Sequence, residues 1–438
     1  MSFTDKFSEK MLVFSTKLSN QRHMNAVRNT FNSLLPIIIT GAFCSLFSNI
    51  VCSTAENGIS LARIPGFEWL GNFSGIFEAG NFASLSFLTI GAVLLISMEL
   101  GKSLNHKEFI VPVIALSSYI TLCSSNVSTT VEGLADPVVI TEVLSTTFTG
   151  ASGLFVGIIA SILSTELYCR LIDGGHLRIK MPDSVPSNVA KSFSDLIPGV
   201  LTILIFATFG FAFLNIFGLS FFDAITLCIQ QPLSFVFTGL PGYLLTFAVV
   251  QVLWCLGIHG ANVLMPVFQP VLLQAIATNL ELVNNGQQAT EILNYGFRQN
   301  FTMLGGCGVT LGLIFAIFIV SKREDYKAIA KLSLLPGLFN INEPMIFGMP
   351  IVLNPLLMIP FILTPVVTSA FAYFMSAIGF CGIMTYTTPW TTPPLLIAWL
   401  GTGGNMGAVI TQLLCLVIAT LIYLPFVIMA NKQIENKN

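Results

Sequence analysis

The chain has 438 residues, of which 54% are hydrophobic and only 9% are charged, and its formal net charge is −2. A soluble domain averages about 25% charged residues, so this composition excludes a soluble protein and predicts a polytopic membrane protein. Spanning strands alternate apolar and polar residues, whereas the long apolar runs of this chain do not. The predicted fold class is therefore all-α, with helices that cross the bilayer.

The basic residues are grouped, and the groups predict the orientation of the chain. Seventeen of the 19 Lys and Arg residues fall into five clusters, near residues 6–28, 102–107, 170–191, 322–331 and 432–437. The intervening loops near 53–80 and 125–147 are acidic. Lys and Arg are enriched in cytoplasmic loops, so all five clusters and both termini are predicted to be cytoplasmic.

The first part of the chain predicts regular spans. Residues 1–30 have apolar residues at near-helical spacing between lysines, which predicts an amphipathic segment on the inner membrane surface. Five spans are then expected, near 30–52, 81–100, 109–124, 148–169 and 196–219, with a long cytoplasmic loop over about 170–198 that carries short interfacial helices. No removable signal peptide is evident, so the first span is expected to direct insertion.

The second part of the chain is apolar but interrupted. Residues 235–280 and 332–404 contain many Pro and Gly residues, and broken helices at membrane depth occur only where protein or a water-filled cavity satisfies the backbone. We therefore predict about ten transmembrane helices plus re-entrant hairpins. The expected division is an N-terminal segment (1–30), a scaffold and dimer-interface region (31–220), a substrate-binding region (221–431) and a cytoplasmic tail (432–438).

One carboxylate stands out in this pattern. Glu343 lies in the stretch NINEP, and the 88 residues from Pro344 to Asn431 contain no acidic, basic or His residue. A carboxylate at the bilayer centre costs about 2.5–3.5 kcal/mol on insertion scales, so it normally faces a cavity or a partner. Ion pairs with the adjacent basic clusters account for Glu99 and Glu166, and a capping role accounts for Asp223.

Several polar and aromatic residues could form a site with Glu343. Pro344 predicts a helix break at Glu343, beside Asn340 and Asn342. His259 ends an apolar run between two glycines, Trp254 precedes it by five residues, and Trp390 lies in a second broken stretch. Carboxylate, amides and aromatic faces together suit a neutral polyhydroxylated ligand such as a sugar.

Other kinds of chemistry lack their motifs. The nine cysteines are scattered and the four histidines have no metal-ligand spacing, so no metal site is predicted, and no cofactor or nucleic-acid partner is expected. Two transport mechanisms remain open at this point: group translocation and a proton- or sodium-coupled sugar transporter in which Glu343 would be the coupling carboxylate. A third hypothesis, a transferase acting on lipid-linked sugar, has no metal or nucleotide motif to support it.

The segments GIHG (257–260) and NINEPMIFGMPIVLNP (340–355), together with 180–199 and 311–344, resemble enzyme IIC, the membrane component of the bacterial phosphoenolpyruvate-dependent sugar phosphotransferase system. The similarity is to its lactose, cellobiose and diacetylchitobiose branch and runs from about residue 10 to residue 431. The resemblance implies a homodimer of ten-helix protomers in the cytoplasmic membrane. It also implies that Glu343, His259 and Asn342 contact a β-linked disaccharide, with Trp254 and Trp390 stacking on its rings.

The resemblance also implies partners. The chain lacks the phosphate-carrying domains of IIA and IIB, so it is expected to work with separate proteins, with IIA and HPr upstream of phosphorylated IIB. A hydroxyl of the bound sugar would attack the phosphocysteine of IIB. Glu343 would hold that hydroxyl and take its proton, His259 would stabilise the developing charge, and basic residues near 170–191 or 322–331 would attract IIB.

Overall fold

The computed structural model describes residues 21–54, 60–129, 137–177, 179, 181–182, 185–349, 351–352 and 354–435. Residues 1–20, which form most of the predicted amphipathic segment, lie outside this range, as do residues 436–438 of the predicted tail. Within the described part, the chain is predominantly helical and has very little strand, which confirms the predicted fold class. Nine helices in this part are long and apolar enough to cross a membrane, and Ile110–Ile120 and Leu240–Cys255 are shorter apolar helices.

The α-helices follow one another along the chain as follows. They are α1 Arg22–Phe47, α2 Ser74–Leu85, α3 Leu88–Ser103, α4 Ile110–Ile120, α5 Thr146–Thr149, α6 Leu154–Asp173, α7 Ser187–Phe217, α8 Phe221–Ile225, α9 Gln231–Thr238, α10 Leu240–Cys255, α11 Gly260–Asn284, α12 Tyr295–Phe297, α13 Thr310–Val320, α14 Glu324–Leu338, α15 Glu343–Gly348, α16 Pro355–Ala377, α17 Leu396–Gly401 and α18 Met406–Glu435. Turns of 3₁₀-helix cover Leu61–Arg63, Glu68–Phe73, Ala151–Gly153 and Cys307–Val309, and π-helical turns cover Ser48–Cys52, Thr226–Gln230 and Arg298–Thr302.

The chain forms two compact units. Of the described residues, the smaller unit contains those within 21–38 and 82–232, and the larger unit contains those within 39–81 and 233–435. Both units therefore draw on two separated stretches of sequence. The four regions predicted from the sequence divide the chain by function and not by compactness, so they remain a prediction.

The smaller unit is built on α3, α4 and α6, which pack against one another. Tyr119 is fully buried among apolar side chains of these helices, and its hydroxyl donates to the carbonyl of Phe148 at 2.6 Å. Ser97 and Thr165 are hydrogen-bonded at 2.7 Å in the buried interface between α3 and α6. Such contacts are typical of helix association in lipid, where small and hydroxyl side chains allow close approach.

The predicted ion pairs at the basic clusters are present in this unit. Glu99 pairs with Lys102 at 2.8 Å. Glu166 pairs with Arg170 at 3.1 Å and also with Arg22 at 2.6 Å, so it ties the start of α1 to α6. These contacts confirm that both carboxylates are held by neighbouring cations.

Asp223 lies in the first turn of α8, but the cap is Ser220 and not Asp223 as predicted. Ser220 is the N-cap of α8, and its hydroxyl accepts from the backbone N–H of Asp223 at 3.1 Å. The same hydroxyl donates to the Asp223 carboxylate at 2.6 Å. The Ser220 hydroxyl thus satisfies one backbone donor that the helix start leaves unpaired, and the Asp223 carboxylate accepts from that hydroxyl.

Two other local predictions need correction. The loop predicted over 170–198 is shorter, because α6 continues to Asp173 and α7 begins at Ser187; Pro198 lies inside α7. The acidic loop near 125–147 contains a two-stranded antiparallel ribbon, Val127–Thr129 with Val138–Ile140, that the sequence did not predict. Three-residue strands are too short to give a readable alternation of apolar and polar residues.

In the larger unit, the core helix α13 packs against α14 and α18. A side chain at Gly312 would come within 2.6 Å of the Cβ of Ala419, so the two helices approach at a glycine. The helices on either side of this core are interrupted, at residues 256–259, 303–309, 339–342 and 378–395. The interruptions at 256–259, 339–342 and 378–395 fall in the stretches predicted from Pro and Gly content, whereas the one at 303–309 was not predicted; together they carry the candidate site.

Candidate functional site

The polypeptide between α14 and α15 forms a tight break that positions Glu343. Asn340 has a left-handed backbone conformation with φ of 61°, which Asn tolerates better than most residues. Pro344 predicted a helix break at Glu343. The structure instead has Glu343 as the first residue of helix α15, with Pro344 in the first turn. A proline fits there because the first N–H groups of a helix have no intrahelical partner.

The Asn340 side chain connects three broken segments. Its Oδ1 accepts from the backbone N–H of Gly305 at 2.8 Å, and its Nδ2 donates to the carbonyls of Trp390 at 2.6 Å and Thr392 at 3.4 Å. Both ends of the amide are thus used in holding the site together. These bonds favour a positioning role for Asn340.

Asn342 is anchored in a similar way. Its side chain is 5% exposed, and its Nδ2 donates to the carbonyl of Cys307 at 2.6 Å. Gly306 makes this contact possible, because it has φ of 95° and a Cβ there would lie 2.4 Å from Cγ of Asn342. This bond fixes the orientation of the Asn342 amide next to Glu343.

Glu343 itself is exposed, and no described residue forms an ion pair with it. Phe347 lies one helical turn further along α15, on the same face, and is 66% exposed. The ring of Phe347 lies 6.4 Å from the ring of Trp254, in an edge-on arrangement. This aromatic contact brings the Glu343 face of α15 to the end of α10.

His259 lies at the corresponding break between α10 and α11. It is the N-cap of α11, and its Nδ1 accepts from the backbone N–H of Asn262 at 3.2 Å. A neutral imidazole that accepts at Nδ1 carries its proton on Nε2. The cap therefore assigns the ring proton to Nε2, on a side chain that is exposed.

Trp254 joins the two breaks. Its ring is 3% exposed and its centroid lies 4.3 Å from that of His259. Trp254 is therefore packed against the imidazole, whereas the Trp390 ring is 41% exposed. Trp254 thus contacts His259 directly and reaches α15, the helix that follows Asn342 and begins at Glu343, through Phe347. The backbone of Trp390 is joined to the same break by Asn340.

One charged residue of this region was missed by the sequence analysis. Arg298 is 7% exposed, and its guanidinium carbon lies 5.7 Å from the Phe247 ring centroid and 5.2 Å from that of Phe268. The signal was present in the sequence, since Arg63 and Arg298 are the two Lys or Arg residues outside the five basic clusters.

Comparison with known proteins agrees with this architecture. The family model for "Phosphotransferase system, EIIC" matches residues 28–365. The lichenan permease IIC component of Bacillus subtilis (strain 168) is 32% identical over 431 residues, covering 97% of this chain and 93% of the relative. The chain belongs to the EIIC family of the phosphotransferase system.

Other EIIC proteins match over nearly the whole chain as well. The cellobiose-specific EIIC component of Geobacillus stearothermophilus is 29% identical and covers 98% of this chain and 95% of the relative. The crystal structure of ChbC, the IIC component from the N,N'-diacetylchitobiose-specific phosphotransferase system, superposes with a TM-score of 0.88 at 30% identity, covering 96% of each chain. The predicted family is therefore confirmed.

Family membership also decides between the transport mechanisms. As an EIIC, the chain is a multi-pass sugar permease of the bacterial cytoplasmic membrane that works with a phosphorylated IIB protein. This confirms the predicted function and location and favours group translocation over the ion-coupled transporter. The roles of the individual site residues remain predictions.

Proposed function

We propose that this EIIC takes up a β-linked disaccharide and holds it at the breaks before α11 and α15. The observation that carries the proposal is that Trp254 contacts the exposed His259 on one side and, on the other, Phe347 of the helix that begins at the exposed carboxylate Glu343. Two relatives are described as specific for cellobiose and for N,N'-diacetylchitobiose, both of which are β-linked disaccharides.

The geometry suits transfer of a phosphoryl group to a sugar hydroxyl. Glu343 accepts the hydroxyl proton as the sugar oxygen attacks phosphorus, a new O–P bond forms, the S–P bond of the IIB phosphocysteine breaks, and the thiolate leaves. His259 donates from Nε2 to the sugar oxygen and fixes its orientation. A positioned base of this kind contributes about 10²–10⁴-fold to the rate. The anionic product does not return across the membrane, so uptake is one-way.

The central experiment compares Glu343→Gln with the wild type. Binding of cellobiose, N,N'-diacetylchitobiose and lactose to the purified chain is followed by tryptophan fluorescence, and phosphoenolpyruvate-dependent phosphorylation by IIB is measured in membrane vesicles. We expect the variant to bind about 10–100-fold more weakly, because a hydrogen bond to a charged group is lost, and transfer to fall by at least about 100-fold.

The matched control is Glu78→Gln, which removes an exposed carboxylate on α2, in the acidic stretch near 53–80 and outside the basic clusters. It should bind and transfer like the wild type. Normal binding and normal transfer by Glu343→Gln would contradict the proposed role of Glu343. Uptake that an uncoupler abolishes, and that needs no phosphoenolpyruvate, would contradict group translocation itself.

We further propose that the functional unit is a homodimer formed through the N-terminal helices. Helix α7 supports this, because Leu204, Phe211 and Ile216 are exposed on it and require either lipid or a second copy of the chain. Cross-linking through cysteines introduced on α7 in native membranes tests the proposal. A dimer should link there, whereas a monomer in the membrane should not.

A further inference from the structure

Arg298 is a buried arginine that forms no ion pair with the described residues. It lies in the π-helical turn Arg298–Thr302, within the apolar stretch Tyr295–Val320 that is long enough to span a membrane. Its Nε is buried without a hydrogen-bond partner, and no carboxylate of the described residues lies within ion-pair distance. A buried charge without a partner is costly, and in membrane proteins it usually marks a binding site.

A second orphaned group lies on the helix that Arg298 contacts. Gln251 of α10 is fully buried, and both its amide oxygen and its amide nitrogen lack hydrogen-bond partners. Gln251 follows Phe247, the ring beside Arg298, by four residues, so both side chains lie on one face of α10. An unsatisfied amide and the buried, unpaired Nε of Arg298 therefore lie on the same side of α10.

The same face leads to the site already described. Trp254 follows Phe247 by seven residues, or two helical turns, which corresponds to roughly 10 Å along the axis at 1.5 Å per residue. Trp254 contacts His259 at one end of this face of α10, and Phe247 contacts Arg298 at the other end. The intervening length is comparable to that of two linked sugar rings, and Gln251 lies between its ends.

We propose that Arg298 and Gln251 form a second subsite, which binds the oxygen atoms of the sugar ring that is not phosphorylated. This inference rests on the proposed function, because it assumes that the reacting ring lies at Glu343 and His259. An amide offers both a donor and an acceptor, as a hydroxyl does, and the guanidinium supplies donors in a fixed plane. The neighbouring Phe rings complement the C–H face of a sugar. Arg298 and Gln251 thereby make the site specific for a disaccharide over a monosaccharide.

The test uses the purified full-length chain and two pairs of ligands. Cellobiose is compared with methyl β-D-glucoside, and N,N'-diacetylchitobiose with N-acetylglucosamine. Arg298→Met and Gln251→Met should lower disaccharide affinity by about 10–100-fold and change monosaccharide affinity by less than about threefold. Arg298→Lys keeps the charge but loses the planar fork, so an intermediate loss is expected.

Stability separates a binding role from a structural one. Replacing an unsatisfied buried polar group by an apolar side chain of similar shape is neutral or stabilising. The unfolding temperature of the sugar-free variants should therefore equal or exceed that of the wild type. Gln230→Met is the matched control, because Gln230 is a buried amide with an unpaired oxygen in the smaller unit, and it should leave both affinities unchanged.

The outcomes are distinct. Equal weakening of disaccharide and monosaccharide, or unchanged disaccharide affinity in both Met variants, overturns the second subsite and leaves the proposed function intact. A sugar-free protein destabilised by both Met variants also overturns it, since the groups would then be structural. A wild-type chain that binds neither disaccharide rejects the proposed function, and the subsite with it.

Discussion

His259 has two separable tasks, and substitutions at this residue distinguish them. Its Nδ1 caps α11 through Asn262, while Nε2–H is directed to the ligand in the proposed function. Alanine removes both groups. Asparagine is among the best N-cap residues, so His259→Asn should keep the cap and lose the donor.

The expected magnitudes follow from these two contacts. Loss of an N-cap costs about 0.5–2 kcal/mol, and the 3.2 Å bond of His259 places its cap near the middle of that range, at about 1 kcal/mol. Loss of a donor to a sugar oxygen costs about 0.5–1.5 kcal/mol in binding, or roughly 2–13-fold. Phosphoryl transfer should fall further, because the same bond also orients the attacking oxygen.

The assay pairs thermal unfolding in detergent with disaccharide binding and IIB-dependent phosphorylation. His259→Ala should lose stability, binding and transfer, whereas His259→Asn should lose binding and transfer alone. Ser220→Ala removes the N-cap of α8 in the smaller unit and serves as the control, with lower stability but unchanged transfer. Equal destabilisation of both His259 variants, or wild-type transfer by His259→Asn, would refute this division of tasks.

Two other predictions concern the surroundings of the site. Gly306→Ala forces a side chain into a left-handed position and against Asn342. We expect about 2–5 kcal/mol of destabilisation, measured by equilibrium unfolding, and weaker disaccharide binding, measured by fluorescence titration. Wild-type values for both would contradict the role of the Asn342 contact. Lys331 is exposed on α14 and makes no ion pair among the described residues, unlike Lys327. Lys331→Glu should therefore slow transfer from IIB and weaken its salt dependence, while disaccharide binding stays normal; an unchanged salt dependence would exclude Lys331 from the docking surface.

Much of the fold could be predicted because the bilayer imposes strong rules on composition. Long apolar runs and grouped basic residues indicated the spans, and Pro and Gly indicated the interruptions at 256–259 and 339–342. The loop over 170–198 was predicted too long, because polar residues extend α6 and α7 beyond their apolar parts. Polarity alone does not show where a helix ends outside the membrane.

The site was only partly accessible to sequence reasoning. Glu343 and His259 stood out because they are isolated ionisable residues in apolar surroundings. Arg298 is isolated in the same way, but in the sequence it follows Glu291 by seven residues and has polar neighbours. Its burial was therefore not apparent from the sequence. The tasks of Asn340 and Asn342 depend on which distant carbonyls they reach, and sequence spacing carries no information about such contacts.

The hydrogen bonds of Asn340 have an evolutionary consequence. Its partners at residues 305, 390 and 392 are all main-chain atoms. Substitutions at these residues keep those atoms, except that proline at position 305 would remove the N–H donor. Side chains of the 385–395 segment can therefore vary while the segment keeps its attachment to the polypeptide that carries Glu343. Such an arrangement allows a lineage of permeases to acquire new sugars by changing this segment without rebuilding the machinery for phosphoryl transfer.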